Sequence, residues 1–165
     1  MNEEGLSLDK LKSLLTYSRA TGEFTWKVSR GSVMRGDRAG SLDRAGYIDI
    51  CIDRLYYRAS RLAWFYCKGV WPSFEIDHKN GQRADNRFRN LRDVTTTVNQ
   101  QNIRKAHADS WSGFLGVHWM PRKQRWQARI SVDGRRIFLG YFKTAEAGHQ
   151  AYLRYKRQHH PGSTI

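Results

Sequence analysis

The stretch Glu75–Leu91, EIDHKNGQRADNRFRNL, places a histidine directly after an aspartate and follows the pair with asparagine, glycine and arginine residues. A protein core rarely contains such polar side chains, because each one needs a partner when it is buried. Histidine titrates near neutral pH and suits the task of a general base. Carboxylate and amide oxygens are hard ligands for Mg²⁺ or Mn²⁺. The stretch therefore predicts a reactive site, and on a strand Asp77 and His78 would point to opposite sides.

The composition favours a basic globular protein that binds nucleic acid. The chain has 165 residues and a formal net charge of +14, with 20 Arg and 9 Lys, and its aromatic content of 13% argues against disorder. One or two small domains fit this length. Solubility is the simpler explanation of the charge, but arginine matches phosphate groups and guanine edges well, so we expect a nucleic-acid partner.

The cysteines and apolar runs exclude several other classes. Cys51 and Cys67 are the only two cysteines, and their spacing forms neither a disulfide framework nor a four-cysteine zinc site. No apolar run is long enough to cross a membrane, and residues 1–10 lack the pattern of a signal peptide. We therefore expect a cytoplasmic protein with no membrane partner.

In the N-terminal part of the chain, apolar spacing predicts helices that begin after Ser7 and near Ala59, the second of which ends at Gly69. Alternation around Ile50 predicts a strand. The glycine-punctuated residues 31–46 are interpreted as a loop.

The C-terminal part predicts three strands followed by one helix. The strand segments are GFLGVHW, RWQARISV and RRIFLGYF, and Asp133-Gly134 is a strong hairpin signal between the last two. Thr144 is expected to cap the helix, and Ala147, Ala151 and Tyr155 are expected to form its inner stripe. From Trp111 onward there are ten Lys and Arg against two Asp and Glu, a net charge of +8 in 55 residues. The fold class is therefore α+β, with positive charge concentrated in this half.

The segment IDHKNGQRADNRFRNLRDVTTTVNQQN, residues 76–102, resembles the HNH homing endonucleases. The resemblance covers roughly residues 15–104 and implies two strands and a helix around one divalent cation, Mg²⁺ or Mn²⁺. By position, His78 would be the general base and Asn90 would orient His78 and brace the loop. Asp77 and Asn99 would hold the metal. Supporting roles in the loop or phosphate contacts are implied for Asn86, Arg87 and Arg92. Many relatives carry histidine where this chain has Ser60.

The C-terminal segment SGFLGVHWMPRKQRWQARISVDGRRIFLGYFKTAEAGHQAY resembles the plant ethylene-response-factor (APETALA-type) DNA-binding domain. Alternation puts Trp126, Ala128 and Ile130 on the face toward the helix, and the resemblance implies that the opposite face reads DNA. The positions matching that family's DNA-contacting face are His118, Met120, Arg122, Arg125, Gln127, Arg129, Ser131, Arg136 and Phe138. His118 and Arg129 differ in type from the plant pattern, so a target sequence does not carry over.

Together the two resemblances predict an HNH nuclease domain at residues 1–104 (its ββα-metal motif at about 74–104), a linker at 105–112, and a DNA-binding domain at 113–165, built as a three-stranded antiparallel sheet packed on one helix. The predicted function is hydrolysis of phosphodiester bonds at preferred sites in double-stranded DNA by a phage-type homing endonuclease. No small-molecule cofactor is expected, and the protein would be a monomer or weak dimer in the host cytoplasm. A non-catalytic DNA-binding regulator with a relict nuclease fold is the alternative, and RNA binding through stacked aromatic rings is a third.

Overall fold

The computed structural model of the chain describes residues 5–106 and 110–165. The chain divides into two compact units, Met1–Thr95 and Thr96–Ile165. Both units combine helices with antiparallel strands. The division falls earlier than the domain boundary predicted at residue 104. Part of the predicted linker, residues 107–109, lies outside the described residues. Across the described ranges, every helix is too short or too polar to cross a membrane.

The first unit contains three small antiparallel sheets and two helices among its described residues. In chain order its elements are α1 (Leu8–Leu14), β1 (Leu15–Tyr17), β2 (Phe24–Trp26), β3 (Arg38–Ala39), β4 (Ser41–Leu42), β5 (Ile48–Ile52), β6 (Leu55–Arg58), α2 (Ala59–Lys68), β7 (Glu75–His78), a 3₁₀ turn (Phe88–Asn90) and β8 (Leu91–Val94). The Ser7 side chain accepts a hydrogen bond from the Lys10 amide, and α2 ends at Gly69 in the left-handed conformation, both as predicted. Residues 31–46 contain β3 and β4, so the prediction that this segment is all loop was wrong.

The core of the first unit is one apolar cluster shared by α1, α2 and the first strands. Its fully buried members include Leu11, Leu15, Phe24, Ile50 and Leu62. Leu91, at the start of β8, belongs to the same cluster. The cluster therefore anchors β8, and β7 pairs with β8 in antiparallel register.

The second unit is a three-stranded antiparallel sheet covered on one face by a helix. Its elements are α3 (Thr96–Gln101), β9 (Val117–Met120), a 3₁₀ turn (Pro121–Lys123), β10 (Arg125–Val132), β11 (Arg135–Phe142) and α4 (Ala145–His159). The strand order is β11-β10-β9. Asp133 and Gly134 both have positive φ in the β10–β11 turn, as an Asp-Gly hairpin requires, and Thr144 caps α4 by accepting from the Ala147 amide. Val117, Ala128 and Ile130 are buried under α4.

The helix α3 and the residues after it are tied to the C-terminal end of the second unit. The Gly162 amide donates to Oε1 of Gln101 at 2.9 Å, and Nζ of Lys156 donates to the Ile103 carbonyl at 2.6 Å. Thr164 donates to Oδ1 of Asn102 at 2.5 Å. These bonds explain why the second unit begins at Thr96.

The inner stripe of α4 differs from the predicted one. Its buried residues are Ala145, Gly148, Tyr152 and Lys156, whereas Ala147 is exposed. Lys156 is only 1% exposed. Burial, with a smaller contribution from nearby Arg104, lowers the pKa of Lys156 to about 8. The helix is therefore rotated from the predicted orientation, and it buries a lysine that a hydrophobicity pattern assigns to the surface.

The buried lysine predicts a specific pH dependence of stability. The pKa of Lys156 is about 8 in the folded protein, whereas the unperturbed value, which applies to the unfolded chain, is 10.5. Between pH 8 and pH 10.5 the unfolded chain therefore holds more protons than the folded protein. The free energy of unfolding should therefore rise as pH increases through this window, by up to about 3 kcal/mol. Denaturant unfolding followed by circular dichroism across this range should show that K156M lacks this rise.

Lys143, which is exposed, provides the matched control. K143M should keep the pH profile of the parent protein. If the free energy of unfolding of K156M rose with pH as much as that of the parent, the lowered pKa of Lys156 would be contradicted.

Candidate functional site

Asp77 and His78 lie at the end of β7, and both are buried. Asp77 is paired in the sheet with Arg92, and His78 with Leu91. The anchored strand β8 therefore fixes the backbone that carries both predicted site residues.

The imidazole of His78 is held by Asn86. Nε2 of His78 lies 3.0 Å from Oδ1 of Asn86, and because this oxygen accepts, Nε2 carries the hydrogen. Nδ1 is then the nitrogen with a lone pair. Burial lowers the pKa of His78 below its usual value, although Asn86 and the carboxylates of Asp77 and Asp85 act in the opposite direction. The arrangement favours a neutral imidazole, which is the form that accepts a proton.

Asn90 braces the loop between β7 and β8. Its Oδ1 accepts from the Asn80 amide at 3.0 Å, and its Nδ2 donates to the Asp85 carbonyl at 2.7 Å. The expected loop-bracing role agrees with these bonds. The other expected role of Asn90, to orient His78, would act through the loop, because the side chain that contacts the histidine is Asn86.

Asp85 is the second fixed point of this loop. It accepts from Nδ2 of Asn80 at 2.6 Å and from Nε of Arg87 at 2.7 Å. Arg87 is the largest cause that lowers the pKa of Asp85 to about 2. Arg87, predicted to support the loop or to contact DNA, is therefore engaged in an ion pair within the loop.

Asp77, the predicted metal ligand on β7, is paired with Arg92. Nε and Nη2 of Arg92 both lie 2.7 Å from Oδ2 of Asp77. The Asp77 side chain is 7% exposed and the Arg92 side chain 22%. A buried carboxylate is thus held at the strand end, with an arginine as a direct neighbour.

The predicted metal ligands fit a hard cation in donor type. Asp77 offers a carboxylate oxygen and Asn99 an amide oxygen, the kind of ligand that Mg²⁺ prefers. Asn99 lies in α3 and so belongs to the second unit, whereas Asp77, His78 and Asn90 lie in the first. Within the described ranges, no three His, Cys, Asp or Glu side chains cluster to form a metal site.

Tyr47 is a neighbour of His78 that the sequence did not single out. The two ring centroids are 6.0 Å apart. The guanidinium groups of Arg58 and Arg83 lie 4.5 Å and 4.9 Å from the Tyr47 ring centroid. An aromatic side chain that two guanidinium groups contact therefore lies beside the candidate base. The sequence pattern around Tyr47 indicates a strand and contains no signal of this role.

The predicted DNA-binding residues of the second unit share the sheet face opposite α4 or the adjoining turn. Arg125, Gln127 and Arg129 alternate along β10, His118 pairs with Gln127 on β9, and Arg136 pairs with Ser131 on β11. Arg122 lies in the 3₁₀ turn, where it is exposed. Partial burial, followed by nearby Arg129 and Arg136, lowers the pKa of His118. His118, Arg129 and Arg136 also line a cavity of about 700 Å³ in this unit. The face is thus basic.

A bulge in β11 brings two aromatic rings together on the same face. Arg129 pairs with Phe138 but Ala128 pairs with Gly140, so Leu139 is the extra residue. As a result Phe138 and Tyr141 lie side by side, with ring centroids 5.0 Å apart and exposures of 55% and 39%. Lys123 lies 5.0 Å from the Tyr141 ring. Phe138 is therefore not a core residue, and Tyr141 joins the predicted set; strict alternation would have put them on opposite faces.

Gly22 provides a test of how the loop supports His78. A Cβ at Gly22 would lie 2.4 Å from the Arg87 amide nitrogen and 2.5 Å from the Asn86 carbonyl carbon, which are backbone atoms. We expect G22A to displace Asn86, lower the melting temperature and perturb the His78 imidazole resonances in NMR spectra.

Gly46→Ala is the matched control, because Gly46 has a similar φ of +86° but no atom within 4 Å of the added Cβ. Both variants carry the cost of a left-handed alanine, about 1–2 kcal/mol. Equal melting temperatures and unchanged His78 resonances in the two variants would show that the Gly22 contact does not support the site.

Comparison with known proteins finds a family model whose range overlaps this site. Residues 57–101 match the family model described as HNH endonuclease. The matched range runs from β6 to the last residue of α3 and includes Asp77, His78, Asn90 and Asn99. No curated protein and no solved structure matches the chain. The likeness of the C-terminal segment to the ethylene-response-factor domain therefore stays a prediction. Residues 57–101 are thus similar to HNH endonucleases, and this similarity suggests a nuclease or DNA-binding function.

Proposed function

We propose that this protein is a metal-dependent DNA endonuclease of the HNH homing type. The observation that carries the proposal is the state of His78. Its Nε2 is committed to Asn86, burial favours the neutral imidazole, and the residue lies within the range that matches the HNH endonuclease model. A neutral imidazole in a fixed orientation is what a general base needs.

Asp77 and Asn99 are the residues that would hold one divalent cation, Mg²⁺ or Mn²⁺. When bound, such an ion stabilises negative charge that develops on a phosphate in the transition state. The chain supplies few ligands of its own, so water and phosphate oxygens would complete the coordination.

His78 would accept a proton from the attacking water at Nδ1. Asn86 keeps the hydrogen on Nε2 and prevents the ring from rotating. Asn90 and Asp85 act through the loop, since their bonds hold the backbone that carries Asn86. Asn90 is therefore a positioning residue in this proposal, one step removed from the base.

The basic sheet face of the second unit would hold double-stranded DNA. Arginine forks match guanine edges and phosphates, and the exposed Phe138 and Tyr141 rings add apolar contact area. Arg122, Arg125, Gln127, Arg129, Arg136 and His118 complete the proposed contacts. A phage origin, action in the host cytoplasm and a monomeric or weakly dimeric state belong to the same proposal.

A non-catalytic DNA-binding protein is the second candidate. The observation that favours it is the Asp77–Arg92 ion pair, because a carboxylate paired with arginine is a weaker metal ligand. Cleavage of DNA decides between the two functions.

Incubation with supercoiled plasmid and Mg²⁺ or Mn²⁺ should produce nicked or linear DNA. His78→Ala should lower the cleavage rate by roughly 10²–10⁴-fold, since it removes the general base. DNA binding in an electrophoretic shift assay should be unchanged.

Alanine in place of the exposed His159, on α4, is the matched control and should cleave at the parental rate. Parental cleavage by H78A would remove His78 from the mechanism. Absence of cleavage by the parent protein with either metal, alongside intact DNA binding, would favour the non-catalytic function.

The sheet face predicts a defined salt dependence. In the double variant R129Q/R136Q, DNA affinity should fall, and the slope of log K against log salt should decrease in magnitude by up to about 1.8, because each lost phosphate contact removes about 0.9. Fluorescence anisotropy with a labelled duplex at several salt concentrations measures both quantities.

Arg154 and Arg157 are exposed on α4, outside the proposed face, so R154Q/R157Q makes the same change in charge elsewhere. It should leave the slope close to that of the parent. Equal slopes for the two double variants would mean that the protein binds DNA through its net charge and not through this face.

A further inference from the structure

We infer that Arg92 makes the binding of a divalent cation at Asp77 conditional on DNA. The Arg92 guanidinium competes with the cation for the Asp77 carboxylate, and a DNA phosphate relieves the competition by offering Arg92 another partner. The inference rests on the proposed function and adds a regulation of that same site. It makes the cation and DNA cooperative ligands.

The sheet register holds the two residues in direct apposition. Asp77 and Arg92 are opposite each other in the β7–β8 pair, so their side chains leave the same face of the ribbon. Nε and Nη2 of Arg92 both lie 2.7 Å from Oδ2 of Asp77. Two charge-assisted hydrogen bonds to one oxygen form a strong and specific contact.

This contact and a metal bond at Asp77 oppose each other. The Asp77 side chain is 7% exposed, so the surroundings screen charges poorly. A divalent cation next to a guanidinium that remains on the same carboxylate would be strongly repelled. A guanidinium that leaves without a new partner would itself be a poorly solvated charge. In both cases the protein binds the cation weakly in the absence of DNA.

A phosphate group is the partner that removes this penalty. The planar fork of arginine matches phosphate oxygens as well as it matches a carboxylate. Arg92 is more exposed than Asp77, at 22% against 7%, so its guanidinium is the member of the pair that reaches the surface. A DNA backbone beside β8 can therefore take over Arg92 while Asp77 stays in place.

The ion pair within the loop, between Asp85 and Arg87, behaves differently from the pair between Asp77 and Arg92. Asp85, the partner of Arg87, also accepts from Nδ2 of Asn80, and Asp85 is not a proposed metal ligand. Release of Arg87 would therefore loosen the loop without exposing a ligand. Release of Arg92, in contrast, removes a cation from the carboxylate of a proposed metal ligand.

Linkage makes the inference quantitative. If DNA increases the affinity for the cation by some factor, the cation increases the affinity for DNA by the same factor. Coupling of this kind typically amounts to about 5–150-fold. Replacement of Arg92 by glutamine should raise the DNA-free affinity for the cation and reduce the coupling.

The experiment measures Mn²⁺ binding to the full chain by electron paramagnetic resonance of the unbound ion. Each protein is titrated alone and with a nuclease-resistant phosphorothioate duplex, and the affinity for the duplex is measured by anisotropy with and without Mn²⁺. The proteins are the parent, R92Q, R92K and the control R38Q. Arg38 pairs with Glu23 on the surface, so R38Q removes the same charge and an ion pair away from Asp77.

For the parent, the duplex should tighten Mn²⁺ binding by about tenfold or more, and Mn²⁺ should tighten duplex binding equally. For R92Q without DNA, Mn²⁺ should bind about tenfold more tightly than it binds the parent. R38Q should match the parent in both states. R92K keeps the charge but loses the fork, so its DNA-free affinity should lie between those of the parent and R92Q.

Two results would overturn the inference. One is a DNA-free Mn²⁺ affinity of R92Q that is equal to or weaker than that of the parent, the result expected if Arg92 only braces the strands. The other is a parental Mn²⁺ affinity that ignores the duplex. Phosphate oxygens that bind Mn²⁺ directly would also couple the two ligands in the parent, but they would not raise the DNA-free affinity of R92Q.

Further controls keep the test decisive if R92Q does not fold, as judged by circular dichroism. R92K and the parental coupling then still decide, since a DNA-free affinity of R92K no higher than that of the parent overturns the inference. Cleavage of plasmid by a parent without coupling would remove the regulation and leave the nuclease. Coupling without cleavage would remove the nuclease function and leave the regulation of cation binding.

Discussion

The structure around the candidate site depends on the satisfaction of polar groups in the loop between β7 and β8. This loop has few apolar side chains to bury, so its shape comes from hydrogen bonds. Asn90 and Asp85 supply most of them, and the Tyr17 hydroxyl donates to the Asn86 carbonyl at 2.7 Å from the β1–β2 hairpin. Removal of one partner would leave another buried group unsatisfied. The orientation of His78 is therefore a property of the whole loop and of the core beneath it.

Much of the local structure follows from the sequence by simple rules. The Ser7 and Thr144 caps, the end of α2 at Gly69 and the Asp133-Gly134 hairpin each need only a few adjacent residues, and all occur as predicted. The strand that carries Asp77 and His78 was expected from the family resemblance and not from such local signals. Local signals predict structure well where other local conformations are energetically unfavourable for the same few residues.

The features that the sequence did not reveal depend on contacts between distant residues. Lys156 is buried because it reaches the Ile103 carbonyl 53 residues earlier in the chain, so a hydropathy pattern misplaces the inner face of α4. The bulge at Leu139 changes the side of the sheet on which Tyr141 lies, and alternation has no signal for it. The choice of Asn86 over Asn90 as the partner of His78 depends on the path of the loop. A list of residue types in order does not contain these distances.

The position of α3 has a consequence for the evolution of this protein. The stretch that matches the HNH endonuclease model continues to residue 101, but α3 is bonded into the compact unit that also carries the basic sheet. Recombination at the structural junction between Thr95 and Thr96 would exchange the sheet together with the helix that carries Asn99. Recombination after α3 would keep the family stretch whole but break the bonds from Gly162 and Lys156. The two halves therefore do not exchange as independent cassettes, and a lineage that acquires a new C-terminal sheet must also evolve new contacts for this helix.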